Sequence, residues 1–229
     1  ACPSSGRGRR RRPTGSLPGM NAPVAADDAP RALLERWPAL RQRVAWLALG
    51  DFPTPVETLP GEPGLWLKRD DLSSPLYGGN KIRTLEPLFG AARAAGATRI
   101  HATGAFGSNH AAATVRHAPR AGLEPGVLLF PQPASHAAVE NLRVVLAARP
   151  HVMALPHWSV LPAGMAWRRR RDRRAGVRSA IMVPGGATPL GALGYVSAGL
   201  ELARQVADGA LPAPRTVVVG VGSTCTSAG

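Results

Sequence analysis

The sequence predicts an α/β protein in which parallel sheets are covered by helices. Three observations carry this. Strand-like runs alternate with helix-period segments over the second half of the chain. The last of those strand runs, Arg215 to Gly220, is apolar almost without interruption, and strands that are hydrophobic throughout are buried on both faces. Glycine-rich turns join strand to helix, and in such sheets ligands bind beyond the carboxyl ends of the strands.

The elements follow in order. Asp27, Asp28 and Pro30 open a short helix over Arg31 to Trp37, placing acids and proline where a helix start favours them. Phe52-Pro53-Thr54-Pro55 turns the chain extended, and Leu65 to Arg69 is a short strand ahead of the polar loop Asp70 to Asn80. A helix beginning near Lys81 carries Ile82, Leu85, Leu88, Phe89 and Ala92 as its apolar stripe. Thr98 to Thr103 is a strand, and Gly104 to Asn109 a turn into a helix through Arg116. The alternation continues with strand Gly126 to Phe130, helix Ala137 to Ala148, strand His151 to Leu155, a helix around Arg168 and strand Ser179 to Val183. Gly185-Gly186 leads into a helix from Leu190 to Val206, and Arg215 to Gly220 is a final, almost wholly apolar strand.

Composition narrows the function classes. Hydrophobic content of 45% with 18% charged residues is that of a soluble globular protein. No apolar run approaches the ~20 residues of a membrane helix and no signal-peptide core is present, so a cytoplasmic location is expected and no membrane partner. Cys2 and Cys225 are too few and too far apart for a disulfide framework. The net charge of +14 is concentrated in two runs. Arg7 and Arg9 to Arg12 lie in a Gly/Pro/Ser-rich stretch, and residues 1–19 read as a disordered basic leader with Met20 as the start. Arg168 to Arg174 reads as a solvated helix end, where cations oppose the macrodipole favourably. No aromatic interleaving or nucleic-acid motif accompanies either run, so no nucleic-acid partner is expected. Neither HExxH spacing nor a serine-hydrolase elbow occurs, and no metal is expected.

Three loops carry candidate chemistry. Lys81 closes Tyr77-Gly78-Gly79-Asn80-Lys81, an amine on a glycine-hinged turn that suits Schiff-base chemistry with an aldehyde cofactor. Gly107-Ser108-Asn109-His110 is a polar strand-end loop in the neighbouring unit. Gly220 to Gly229 follows a strand with Gly, Ser and Thr, so its N–H groups and hydroxyls can converge on an anion. Gly220-x-Gly222-x-x-Cys225 fails the dinucleotide fingerprint at its third glycine, and a single-phosphate cofactor fits better.

Together with Leu67-Lys68-Arg69-Asp70-Asp71-Leu72, Leu85-Glu86 and the run Pro184 to Tyr195, these loops resemble the D-cysteine desulfhydrase / 1-aminocyclopropane-1-carboxylate deaminase family. These are pyridoxal-phosphate enzymes of the tryptophan-synthase-β fold, and the resemblance spans about residues 50 to 229. It implies pyridoxal 5'-phosphate as cofactor, with Lys81 as the Schiff-base lysine and later acid or base. It implies that Asn109 bonds the cofactor's ring hydroxyl, that Ser108 holds the substrate carboxylate and assists the chemistry, and that Gly222, Ser223, Thr224, Cys225 and Thr226 form the phosphate cup. His110 stands where desulfhydrase-like members have histidine, which assigns it with Ser108 and Asn109 to the substrate side; a helix-start residue without a task is its other reading. Thr224-Cys225 departs from the Gly-Gly of many relatives, and Cys225 reads as a small buried filler in preference to a redox residue.

The implied architecture is a cofactor-binding large domain from residues 20–84 and 185–229, with a small α/β domain of residues 85–184 inserted. The resemblance also implies that the chain is C-terminally shortened: the pyridine-nitrogen partner and active-site tyrosine lie past Gly229, Tyr77 and Tyr195 do not match that tyrosine, and the full-length form is a homodimer. The implied function is that of a lyase on a small amino acid, turning D-cysteine into pyruvate, ammonia and sulfide. The alternatives are 1-aminocyclopropane-1-carboxylate deamination and a fragment without activity.

Overall fold

The computed structural model describes residues 31–229, so the basic leader and the expected helix start at Asp27, Asp28 and Pro30 lie outside the described residues. The first helix, α1 (Ala32–Arg36), has Arg31 at its N-cap without a side-chain cap. A hairpin pairs β1 (Val56–Thr58) with β2 (Trp66–Lys68), antiparallel and separate from the main sheet. Next come α2 (Lys81–Ala94), β3 (Arg99–Ala105), α3 (Asn109–His117), β4 (Glu124–Phe130), α4 (His136–Ala147), β5 (His151–Ala154), α5 (Leu161–Arg174), β6 (Ser179–Ile181), α6 (Pro189–Ala207) and the single turn α7 (Cys225–Ala228).

The main sheet runs β5-β4-β3-β6, all parallel, with a helix in each crossover. Its two central strands are the buried ones: β3 is buried at its first six positions, Arg99, His101 and Thr103 included, and β4 through the apolar Gly126 to Leu129. The core continues from Val127 and Leu129 through Ile100, Ala111 and Val115 to Ile82, Leu85 and Phe89 of α2. Of the expected stripe only Leu88 is not fully buried; it packs at the core margin.

Helix α2 is anchored on its other sides by buried charge. The Glu86 carboxylate accepts from Arg31 Nε (2.6 Å) and Nη2 (2.5 Å), Trp46 Nε1 (2.7 Å) and the Leu49 amide (2.9 Å). Arg83 donates to Asp70 (2.7 and 2.9 Å), Glu201 Oε2 (2.8 Å) and Thr54 Oγ1 (3.0 Å), and its guanidinium lies over the Phe52 ring. Two such buried acid–base sets tie the helix that begins at Lys81 to α6 and to the chain before β1. Helices α2 and α6 approach closely at Gly194, where a Cβ would sit 2.1 Å from the Arg83 carbonyl oxygen. Pro87 lacks the N–H that would otherwise bond that carbonyl within the helix.

Two expectations are corrected. Arg215 to Gly220 is not a strand: Val217, Val218 and Val219 are 62%, 91% and 40% exposed, and no strand among the described residues lies beside them to form a ladder. Apolar character alone does not make a strand without a partner. The arginine run is not wholly solvated, because Arg168 is buried and bonded to Asp172, which also binds Arg99 and His101. The glycine-serine-threonine loop itself closes into the single turn α7.

Candidate active site

Lys81 is the first residue of α2. The turn before it is tight: a Cβ on Gly78 would fall 1.9 Å from the Asp71 carbonyl oxygen, and Gly79 has φ +121°, a backbone state side chains rarely adopt. The Lys81 ammonium is half-buried and has no hydrogen-bond partner among the described residues. Burial lowers its pKa below the ordinary lysine value, and the nearby Cys225 thiol offsets only part of that. Lys68, the other lysine, is committed elsewhere: it donates to Glu201, to the Thr54 carbonyl (2.6 Å) and to Gln205 (2.7 Å).

The loop after β3 brings the second set of groups. Ser108 is the N-cap of α3, its Oγ accepting from the Ala111 amide at 3.2 Å. Asn109 is exposed; its Oδ1 accepts from Asn141 Nδ2 at 2.6 Å and lies 3.1 Å from the Tyr77 hydroxyl. His110 points the other way. It is 1% exposed with both ring nitrogens unpaired, and burial first, then the Lys81 charge, lowers its pKa to about 3. The imidazole is therefore a neutral neighbour of the amine, packed under Gly186, where a Cβ would meet its Cε1 at 3.3 Å.

The third and fourth segments close over this pair. Gly185 and Gly186 both have positive φ, and a Cβ on Gly185 would strike Ser223 at 2.3 Å. Cys225 is 3% exposed and its thiol donates to the Gly186 carbonyl at 3.3 Å. Thr224 sits in the left-handed region at φ +66°, strained for a β-branched residue. Tyr195 on α6 donates to the Asn80 carbonyl at 2.9 Å. The sequence-predicted residues thus lie in loops that meet around Lys81, while Asn141, Tyr77 and Tyr195 joined them only in three dimensions.

The donor set fits a phosphorylated aldehyde. None of the backbone N–H groups of Gly222 to Thr226 donates to a protein acceptor among the described residues, and Cβ atoms added at Gly79 or Gly222 would meet nothing within 4 Å. Unpaired amides beside open space are what an anion requires, and a desolvated, unpartnered amine is what an aldehyde requires.

A parallel α/β sheet, a lysine opening a helix and an amide-rich loop nearby define the class: an α/β enzyme built around an aldehyde cofactor. Residues 47–229 match the family model for pyridoxal-phosphate dependent enzymes, and the chain belongs to that family. It is 42% identical over 171 residues to nocardicin C-9' epimerase of Nocardia uniformis subsp. tsuyamanensis, covering 71% of this chain and 50% of that one. It is 34% identical over 193 residues to D-cysteine desulfhydrase of Salmonella paratyphi C (strain RKS4594), covering 80% of this chain and 58% of that one. A crystal structure of an ACC deaminase homologue superposes with a TM-score of 0.63 at 31% identity, over 76% of this chain and 54% of that one. The chain spans between half and three-fifths of the length of the curated relatives compared here. The cofactor of the family is pyridoxal phosphate. No helix among the described residues is long and apolar enough to cross a membrane.

Proposed function

We propose that the chain carries pyridoxal phosphate on Lys81 and removes the α-proton of a small amino acid. One observation carries this: both lysines are half-buried and lowered in pKa, but Lys81 alone has no hydrogen-bond partner among the described residues, and it lies in reach of an open, amide-lined loop. When bound, the cofactor supplies an electron sink for negative charge at the substrate α-carbon. Lys81 Nζ moves the proton at that carbon. The Asn109 amide meets the cofactor ring oxygen, Ser108 and His110 belong to the substrate side, and Gly222, Ser223, Thr224, Cys225 and Thr226 hold the phosphate. Burial lowers the Lys81 pKa and so favours its free amine.

The first reading of the outcome is elimination, with D-cysteine giving pyruvate, ammonia and sulfide. A second is inversion at the α-carbon, favoured by the 42% identity to an epimerase against 34% to a desulfhydrase. Ring opening of 1-aminocyclopropane-1-carboxylate is a third, supported by the structural likeness to the deaminase homologue; its α-carbon bears no hydrogen, so this reading starts at the ring carbons instead of with α-proton removal. Incubation of the reconstituted protein with each substrate class in deuterated water separates them. Sulfide and pyruvate support elimination, α-deuterium with inverted configuration supports epimerisation, and 2-oxobutanoate supports deamination. Reconstituted protein that does none of these supports a fragment without activity.

A further inference from the structure

We infer that Tyr77 and Asn141 are positioning residues that lock the Asn109 side-chain amide with its NH2 group facing the cleft; this rests on the reading above, in which that amide meets the cofactor ring oxygen. The argument starts from a backbone carbonyl, which can only accept. Asn141 Nδ2 lies 2.9 Å from Gly107 O and 2.6 Å from Asn109 Oδ1, so both of its hydrogens are spent. Turning Asn141 over would set its carbonyl against that of Gly107, and turning Asn109 over would set two NH2 groups against each other. Gly107 O therefore fixes the polarity of Asn141, and Asn141 fixes that of Asn109.

Tyr77 reinforces the arrangement. Its hydroxyl lies 3.0 Å from Asn141 Oδ1 and 3.1 Å from Asn109 Oδ1, sharing one proton between two acceptors. His117 holds Tyr77 in turn: its Nε2 lies 3.2 Å from the Tyr77 carbonyl, which makes Nε2 the protonated nitrogen and leaves Nδ1 unpaired. The Asn109 NH2 has no protein acceptor among the described residues and stands on an exposed residue. An amide with its oxygen occupied and its hydrogens free is a donor preset for an anionic oxygen such as a phenolate. The same Tyr77 sits on the turn leading to Lys81, so one side chain sets both the donor loop and the amine turn.

The test has two arms. Without cofactor, hydrogen exchange of side-chain amides followed by 15N-edited NMR should find Asn141 NH2 protected and Asn109 NH2 open, with Tyr77→Phe speeding Asn141 exchange. Equal exchange at the two side chains overturns the proposal whether or not any cofactor binds. With pyridoxal phosphate, Tyr77→Phe and Asn141→Ala should each weaken binding about 3- to 10-fold, the range for one lost hydrogen bond. Each should also raise the pH at which the absorption band of the lysine-bound cofactor titrates. In an Asn109→Ala background both effects should vanish; losses that persist there mean that Tyr77 and Asn141 act on something else, and the proposal is wrong. Absence of any band that depends on Lys81 would defeat the cofactor reading instead, leaving the exchange arm to judge the amide.

Discussion

The Tyr195 hydroxyl donates to the carbonyl oxygen of Asn80 at 2.9 Å, so a residue of α6 grips the peptide bond that enters Lys81. Burial pushes the Tyr195 pKa up to about 12, which keeps that donor protonated throughout the working range. The amine is thus held by its own backbone, from the far side of the α2–α6 contact, while its side chain stays free.

Borohydride reduction of the reconstituted protein followed by peptide mapping should place the pyridoxyl group on Lys81. Lys68 spends its donors on Glu201, Gln205 and Thr54 O, so its amine is not available to an aldehyde. Recovery of the label on Lys68 contradicts the assignment.

Ser108 holds a helix cap as well as its proposed place on the substrate side, and the two uses can be separated. Ser108→Ala removes the acceptor for the Ala111 amide and should cost about 1 kcal/mol of stability; Ser108→Gly should cost only a few tenths. If substrate affinity falls equally in both while stability differs, the hydroxyl acts on substrate. Affinity that tracks stability reduces Ser108 to a cap.

Glu201→Gln leaves the Arg83 guanidinium, 2% exposed, short of a charge partner. Breaking one side of a buried pair costs about 3–5 kcal/mol, so the urea midpoint should drop steeply. The double change Arg83→Met with Glu201→Leu should recover only part of that loss: no fully buried charge is left, but the part-buried Lys68 and Asp70 each lose a partner. A midpoint within error of the parent for Glu201→Gln shows that this network is not what anchors α2.

Acid should unfold the protein through its buried histidines. Burial lowers His101 to about 4, His110 to about 3 and His117 to about 4, all below the ordinary ~6.5 of an unfolded chain. Between those values the unfolded state binds more protons, so stability rises with pH there and is lost as pH falls from about 6.5 toward 4. Each histidine contributes up to about 1.4 kcal/mol per pH unit across that window. Thermal melts from pH 7 to 4.5 should show a falling Tm with proton uptake on unfolding. A flat Tm over that range contradicts the neutral assignments.

The sequence made the helices and β4 legible because their patterns are local: the stripe from Ile82 to Ala92 and the apolar run Gly126 to Phe130 state their own burial, whereas β3 buries Arg99, His101 and Thr103. Ser108 and Thr188 could be recognised as cap residues from their place before a helix, and both accept from an amide three residues on. Arg215 to Gly220 misled because its pattern speaks of apolarity while strand formation depends on a neighbour. Nothing local marks Arg83 and Glu86 as buried ion-pair members; their partners Glu201 and Arg31 are 118 and 55 residues away. Asn141 had no signal at all, since an asparagine in a helix pattern reads as solvent-facing until the loop carrying Asn109 folds against it.

Those long spans also bear on how the amine comes into being during folding. The grips on the start of α2 join Arg31 to Glu86, Arg83 to Glu201 and Asn80 to Tyr195, across separations of 55, 118 and 115 residues. Contacts between distant parts of a chain form only after the entropy of closing the loops has been met, and so they form late. The helix itself can appear early, but the half-buried amine cannot exist before α6 has docked. Reactivity toward an aldehyde should therefore emerge with the last phase of refolding, after most helical signal has returned, which makes Lys81 a chemical clock for the completion of the fold.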